Sequence, residues 1–476
     1  MKGGAQDKIR KQTKKALIVT TVSGFVPQFE MNNVRILQEL GYEVHYASNF
    51  RNPSYGNDNS RLAGTGILCH QIDLERSPFR ICAALRACRQ LKALLEREHF
   101  DLLHCHTPMG GAVARLAAAR AGAGQKKRFG MNSIYNHDKP FVIYTAHGFH
   151  FYRGAPLINW LLYYPAERWL ARYTDVLITI NEEDYARAQR FCRGKKTKVE
   201  RLIGAGADIS FFRGDDLPED GREKMREVVR RKLHAAEDEV VFLSVGELIP
   251  RKNHRLAIKA FAELEKERLA KGREAGDWLR HRRRPEKKGG PETVEKSENS
   301  RRFRYFICGK GVQRRALQRQ IDQAGLSGRV RLLGYRRNIR AILYAADVFV
   351  FPSLQEGMPM AMIEAAAAGL PIIASDIRGN REVAESWENT ESFTDWKELK
   401  QMLKKALKQE QNTGKVEKTK KMPAQEYAAA QEYIAKPGQS LTQRCLAGRK
   451  LDRFDKRQAG RRMKKIYNEA ALKSRS

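Results

Sequence analysis

The sequence predicts an α/β protein of two Rossmann-like domains facing a central cleft, and one repeated pattern carries most of that expectation. Ala16 to Thr21 is a β-rich run; Val22-Ser23-Gly24-Phe25, a helical pattern from Glu30 to Leu40 and a second run from Tyr42 to Ala47 follow it. This is strand, glycine turn, helix, strand. Val240 to Val245 runs into Gly246 and a helix starting near His254, so a second domain opens as the first does. Length agrees: 476 residues, 42% of them hydrophobic, exceed one ordinary core and suffice for two.

The pattern divides the chain into a basic tail over 1–15, a first domain over 16–208 closed by a helix over 451–471, and a linker with a helix over 209–238. A second domain over 239–448 then carries a disordered insertion over 265–302.

Within the first domain, Arg80 to Glu98 reads as a basic amphipathic helix, either packed by Ile81, Leu85, Leu91 and Leu95 with a solvated face, which is slightly favoured, or laid with its basic face on anionic lipid. Asp101 to Thr107 is a strand running into a loop. His104 and His106 alternate along it and so point the same way, with Cys105 opposite. Two histidines fall short of a metal site, which needs further ligands and a supporting shell. Residues 122–139 break the pattern with glycines and basic residues and read as a loop insertion. Phe141 to Ala146 is a strand ending in His147, and the carboxyl ends of parallel strands are where open α/β sheets contact ligands. Trp160 to Leu170 reads as an aromatic helix, with core packing favoured over a lipid-binding surface, Thr174 to Asn181 as a strand, and Val199 to Asp208 as the end of the domain.

In the second domain the insertion is dense in Lys, Arg, Glu and Gly and poor in apolar residues. Phe303 to Ile307 followed by Cys308-Gly309-Lys310-Gly311 is a strand and glycine turn, and Val330 to Leu333 precedes Gly334-Tyr335-Arg336. Val348 to Phe351 is a buried strand, and an alanine-rich helix closed by Gly369 and Pro371 follows a polar loop. Ile372 to Asp376 is a strand and Gly379 to Glu382 a loop into a helix. The chain then enters Trp387-Glu388-Asn389-Thr390 and a lysine-rich tail, with no further strand expected.

The formal charge of +34 suggests a polyanionic partner, whether anionic lipid headgroups, nucleic acid or phosphorylated substrates, or else a solvated, self-repelling surface. Both signs mix in the insertion, whose lone aromatic is Trp278, so no specific nucleic acid is expected. The seven cysteines are scattered without paired spacing and read as reduced thiols of a cytosolic protein. No apolar run reaches about 18 residues, and residues 1–15 are polar and basic, unlike a secretory signal.

Glu356 falls in the loop after Phe351 and Glu364 inside the helix, with Gly357 and Pro359 allowing the turn between them. Eight helical steps span roughly 12 Å, about the reach of a nucleotide sugar from hexose to ribose. The helix start would meet the diphosphate.

Pro-Ser-Leu-Gln-Glu-Gly-Met-Pro followed by Glu-Ala-Ala-Ala-Ala-Gly-Leu-Pro closely resembles the paired-glutamate motif of family 4 retaining glycosyltransferases, which have the GT-B fold. Thr-Ala-His-Gly-Phe-His-Phe resembles their first-domain signature, with His147 at the active-site histidine. Lys252 matches a lysine that binds the donor diphosphate, but Glu247 stands where that family has an arginine, so Arg251 is expected to supply the charge. By resemblance, His147, Lys252 and Glu356 are the catalytic candidates. Gly24, Arg251, Gly309, Tyr335, Gly357, Met358, Pro359 and Glu364 are the candidates for binding donor or acceptor.

The resemblance implies hexosyl or N-acetylhexosaminyl transfer with retention, from a nucleotide diphosphate sugar such as a UDP-sugar, without metal or cofactor. The implied acceptor is a lipid-linked saccharide or polysaccharide at the inner face of the membrane, as in bacterial surface-polysaccharide synthesis. Two other classes remain open. One is a catalytically weak scaffold of this fold that binds polyanions or nucleic acid. The other, a nicotinamide-dependent dehydrogenase, is disfavoured because no Gly-x-Gly-x-x-Gly with a downstream acid follows the first strand.

Overall fold

The computed structural model describes residues 13–51, 59–129, 139–202, 206–281, 302–413 and 450–473. They form two compact units, one of residues 1–206 with 456–476 and one of residues 207–455.

In the first unit the order is β1 (Lys14–Val19), α1 (Met31–Glu39), β2 (Tyr42–Ser48), β3 (Leu68–Gln71), α2 (Ile81–Glu98), β4 (Leu102–His106), α3 (Pro108–Phe129), β5 (Phe141–Ala146), α4 (Leu157–Leu170), β6 (Val176–Thr179), α5 (Glu182–Cys192) and β7 (Lys198–Arg201). All seven strands are parallel, in the order β3-β2-β1-β4-β5-β6-β7. Helices cover both faces, which is why β4 and β5 are buried at every position rather than alternating. One core joins α2, α3 and α4 to Leu17, Leu103, Val142 and Leu177. The other joins α1 to Ile18, Val44, Ile143 and Ile178.

The second unit contains α6 (Ile209–Arg213), α7 (Gly221–Leu233), β8 (Val240–Val245), α8 (His254–His281), β9 (Phe303–Cys308), α9 (Arg314–Gln323), β10 (Val330–Gly334), α10 (Ile339–Ala345), β11 (Val348–Phe351), α11 (Met360–Ala367), β12 (Ile372–Ser375), α12 (Arg378–Ala384), β13 (Thr390–Phe393) and α13 (Trp396–Thr413). Its six strands run parallel as β10-β9-β8-β11-β12-β13. A last helix, α14 (Lys456–Lys473), joins the first unit, where Met463, Ile466 and Tyr467 enter the core beside α1. In each sheet the strand order reverses once, at β1/β4 and at β8/β11. Ligand sites of open α/β sheets form at such reversals, outside the carboxyl ends of the strands.

Five sequence expectations are corrected. The stretch over 209–238 is no linker: Arg226 and Arg230 of α7 grip Asp347, and Arg222 donates to the Ala368 carbonyl, so both helices belong to the second unit. The insertion over 265–302 begins as helix, because α8 is anchored by Ile258, Phe261 and Leu264, and Glu267 beyond them pairs with Lys400 and Lys404 of α13. The rest of that insertion, from 282 to 301, lies outside the described residues, as does 130–138, whereas 122–129 continue α3. A further strand does follow Trp387: β13 pairs with β12, although its Thr-Glu-Ser-Phe sequence buries only Phe393. Finally, the closing helix over 451–471 breaks at Asp455, whose extended backbone separates a short turn over Asp452–Phe454 from α14.

Candidate active site

In the second unit, candidate residues converge where β8 and β11 meet. The turn after β8 continues through Glu247 into Pro250–Lys252, and the loop after β11 runs from Pro352 to Pro359. The two loops are tied backbone to backbone, Leu354 N–H donating to the Arg251 carbonyl at 2.8 Å. Arg251 also donates to the Gln355 carbonyl at 3.0 Å. That scaffold sets the charges: Lys252 Nζ lies 2.5 Å from Glu356 Oε1, and Arg251 lies 3.5 Å from Glu356 Oε2. Glu356 is only 5% exposed. A buried carboxylate needs such partners, and removing one leaves an uncompensated charge that costs about 3–5 kcal/mol.

Close backbone approach holds the loop. A Cβ on Gly379 would sit 2.8 Å from the Glu356 carbonyl oxygen, so only glycine lets the start of α12 lie against this loop. Ser375 Oγ donates to the Ser353 carbonyl on the same side. Helix α11 starts after Pro359 without a side-chain cap, while Met358 and Pro359 are buried beneath the turn at Gly357. Glu364 is half-buried on α11, and burial pushes its carboxyl up to about 7.

Gly309 has φ +157, and a Cβ there would fall 1.8 Å from the Gly246 carbonyl oxygen, so the turns after β8 and β9 touch through backbone alone. Gly309 N–H donates to the Gly334 carbonyl at 2.8 Å, bringing Gly309 beside Tyr335. Tyr335 is exposed, with Lys310 Nζ 5.7 Å from its ring centroid. Of the sequence candidates, Arg251, Lys252, Gly309, Tyr335, Glu356, Gly357, Met358, Pro359 and Glu364 thus all sit on this carboxyl edge or on the helix leaving it.

His147 and Gly24 lie in the first unit, at its own carboxyl edge. Gly24 is buried in the turn after β1, and the neighbouring Phe25 ring meets the His147 ring edge-on at 4.9 Å. His106, at the end of β4, approaches His147 at 3.1 Å from Nδ1 to Nε2 and Glu30 at 3.6 Å. Glu30 ends a π-turn over Val26–Glu30, and its other oxygen accepts from Asn33 at 2.5 Å. A pocket lined by Glu30, Asn33, Thr145, His147 and Met463 opens beside them.

Desolvation governs this cluster. Burial lowers His147 to about 4 and His104 to about 3, holding both imidazoles neutral, and raises Glu30 to about 7. His104 has both ring nitrogens engaged, by the Tyr467 hydroxyl and Thr145 Oγ1 at 2.8 Å each. Among the described residues, His106 Nε2 is buried without a hydrogen-bond partner.

His104 and His106 do point the same way, as strand alternation predicts, with ring centroids 4.1 Å apart, but the donor atoms that gather within 4.8 Å of one another are those of Glu30, His106 and His147. Glu30 escaped sequence reading because it is a lone acid at a helix start. Gly379 escaped because its role depends on a neighbour 23 positions earlier in the chain.

Comparison with known proteins shows the family and the fold. The family described as glycosyl transferases group 1 matches residues 287–427, and the glycosyl transferase 4-like domain matches residues 30–203. The putative glycosyltransferase EpsD of Bacillus subtilis is 34% identical over 378 residues, covering 79% of this chain and 82% of that protein. An Escherichia coli enzyme, UDP-Gal:alpha-D-GlcNAc-diphosphoundecaprenol alpha-1,3-galactosyltransferase, is 29% identical, covering 68% of this chain and 69% of that one. Among solved structures, Anabaena Alr3699/HepE in complex with UDP-glucose shares the fold at TM-score 0.62 and 14% identity, covering 96% of this chain and 99% of that one.

Proposed function

The chain belongs to the glycosyltransferases of the GT-B, family 4 type, and on that premise we propose that it moves a hexosyl or N-acetylhexosaminyl group from a UDP-sugar, with retention, to a lipid-linked saccharide in surface-polysaccharide synthesis. The observation that carries the reading is the Lys252–Glu356 contact at the β8/β11 reversal.

In this reading the donor rearranges that contact. Its diphosphate takes Lys252 and Arg251, and the released Glu356 carboxylate accepts hydrogen bonds from sugar hydroxyls. The amides from Gly357 through the uncapped first turn of α11 share the diphosphate charge, and Glu364 holds the ribose hydroxyls. Gly309 and Tyr335 border the base, and Gly24 and His147 serve the acceptor or the transferred ring. Charge develops on the leaving diphosphate as the glycosidic bond breaks, and Lys252 with Arg251 stabilises it. The leaving phosphate oxygen takes the acceptor's proton, so neither a separate protein base nor a metal is required. An acceptor embedded in lipid places the enzyme at the inner membrane face. No helix among the described residues is long and apolar enough to cross a membrane.

Calorimetry with UDP-, GDP- and ADP-sugars, with Lys252→Ala and Glu356→Ala beside the native chain, tests the donor site. Saturable binding of one donor, lost in both variants, is expected. Binding of polyanions but of no nucleotide sugar would favour an inactive scaffold, the reading that Glu247 at the usual arginine position keeps open. The anomeric configuration of the product, read by NMR, tests retention.

A further inference from the structure

Helix α4 is apolar on two faces. Trp160, Tyr163 and Tyr164 pack into the core of the first unit, and Glu167 is buried in an ion pair with Arg115 at 3.0 Å. The opposite face carries Leu157, Ile158, Leu161, Leu162 and Trp169, with Leu157 80% and Leu161 71% exposed. A contiguous exposed apolar patch of this kind marks a protein-interaction or membrane-interaction surface.

The exposed charges carried by residues 153–173 have one sign, although Glu183 of α5 lies against them and accepts from the Arg153 N–H at 2.8 Å. Arg153, Arg168 and Arg172 are exposed, and from 153 to 173 the sole acid is the buried Glu167. The start of α2 repeats the pattern. Phe79, Ile81 and Leu85 are exposed there among the exposed Arg76, Arg80, Arg86 and Arg89, only partly offset by Glu75 and Asp73.

Helices α2 and α4 pack on the same face of the sheet. Each runs back antiparallel to parallel strands, so both amino-terminal ends lie toward the carboxyl edge from which His106 and His147 emerge.

We propose that the outward face of α4, together with the start of α2, seats the first unit on an anionic bilayer. The apolar side chains enter the acyl boundary, Trp169 lies at headgroup level, and the arginines pair with lipid phosphates. This rests on the membrane-acceptor reading above and assigns it a surface. It also links that surface to the site: the His150 ring stacks on Tyr163 at 4.7 Å, and Asn159 donates to the His150 carbonyl at 3.1 Å. The seating of α4 is thereby coupled to the segment that follows His147, which would meet a lipid-borne acceptor close to the headgroups.

The test is sedimentation of the full chain with phosphatidylglycerol vesicles and with phosphatidylcholine vesicles. It compares the native protein with Leu157→Ser/Leu161→Ser and with Arg153→Gln/Arg168→Gln/Arg172→Gln. Partition onto phosphatidylglycerol should fall roughly tenfold or more in each variant. Melting temperature and UDP-sugar binding should stay unchanged. Native binding that both variants retain would overturn this assignment while leaving the membrane-acceptor reading standing. A native chain that binds neither vesicle would overturn both. Self-association of the native chain that the leucine variant abolishes, with its vesicle partition unaltered, would give the face to a second copy and overturn the proposal.

Discussion

At the carboxyl edge of the second sheet, loops bring Lys252 and Arg251 to the Glu356 carboxylate; at the carboxyl edge of the first, they bring Glu30 to two imidazoles held neutral by burial. Both edges sit at a reversal of strand order in a parallel sheet. The difference therefore lies in the loops and not in the architecture. One edge stores compensated charge that an anionic ligand can exchange for its own. The other presents polar groups in a desolvated setting that suits hydroxyl-bearing ligands. Each edge also holds a non-glycine residue in the left-handed region directly after a site residue, Thr107 after His106 and Asn253 after Lys252. Both turns are thus constrained beside candidate site residues.

The largest effect should come from the charged edge. Lys252→Ala should lower turnover about a hundredfold to a thousandfold in a donor-consumption assay. Near-native turnover would remove the charge-exchange account.

The neutral edge should respond chiefly to pH. Glu30 is raised from the usual carboxylate value to about 7, so the folded form binds its proton more tightly than the unfolded chain does. The associated stability is complete below about pH 4.5 and is lost as pH rises through 7. Glu30→Gln should therefore stabilise the chain by up to about 3 kcal/mol at pH 8 and by little at pH 5 in urea melts. The histidines act oppositely. His147 is lowered to about 4, so its contribution is present above pH 6.5 and lost as pH falls through 4. A Glu30→Gln effect independent of pH would show that the carboxyl is not desolvated, and the contrast between the edges would collapse.

A smaller change tests backbone packing at the charged edge. Gly379→Ala should push the Glu356 loop outward, costing about 1–3 kcal/mol in thermal unfolding and weakening donor binding. Smallest of all should be chelation: after exhaustive dialysis against EDTA, transfer should remain within about twofold of its starting rate. Loss restored by one divalent metal would instead make Glu30, His106 and His147 a metal centre and give the first edge a charge of its own.

Much of this was legible in the sequence because parallel strands buried on both faces read as continuous apolar runs. Phe141 to Ala146 and Val240 to Val245 match their strands residue for residue. The donor-side candidates were equally visible, since Lys252, Glu356 and Glu364 sit in compact local motifs. Tertiary support was not visible. β13 gains its place from pairing along Ile372–Ser375 rather than from its own composition. Glu267, at the middle of α8, is met by lysines more than 130 positions away. The first-unit cluster depends on Glu30, His106 and His147, which only the order of the strands brings together.

The Tyr467 hydroxyl meeting His104 has a consequence for the order of events during synthesis. All of the second unit, residues 207–455, is translated before α14, yet α14 contributes Met463, Ile466 and Tyr467 to the core of the first unit. A nascent chain can form its first sheet early but leaves Val34, Leu37 and the His104 ring waiting for their last neighbours. The core of the first unit is thus finished only after the second unit has been translated, and a chain that stops before α14 leaves the His104 ring without its Tyr467 partner.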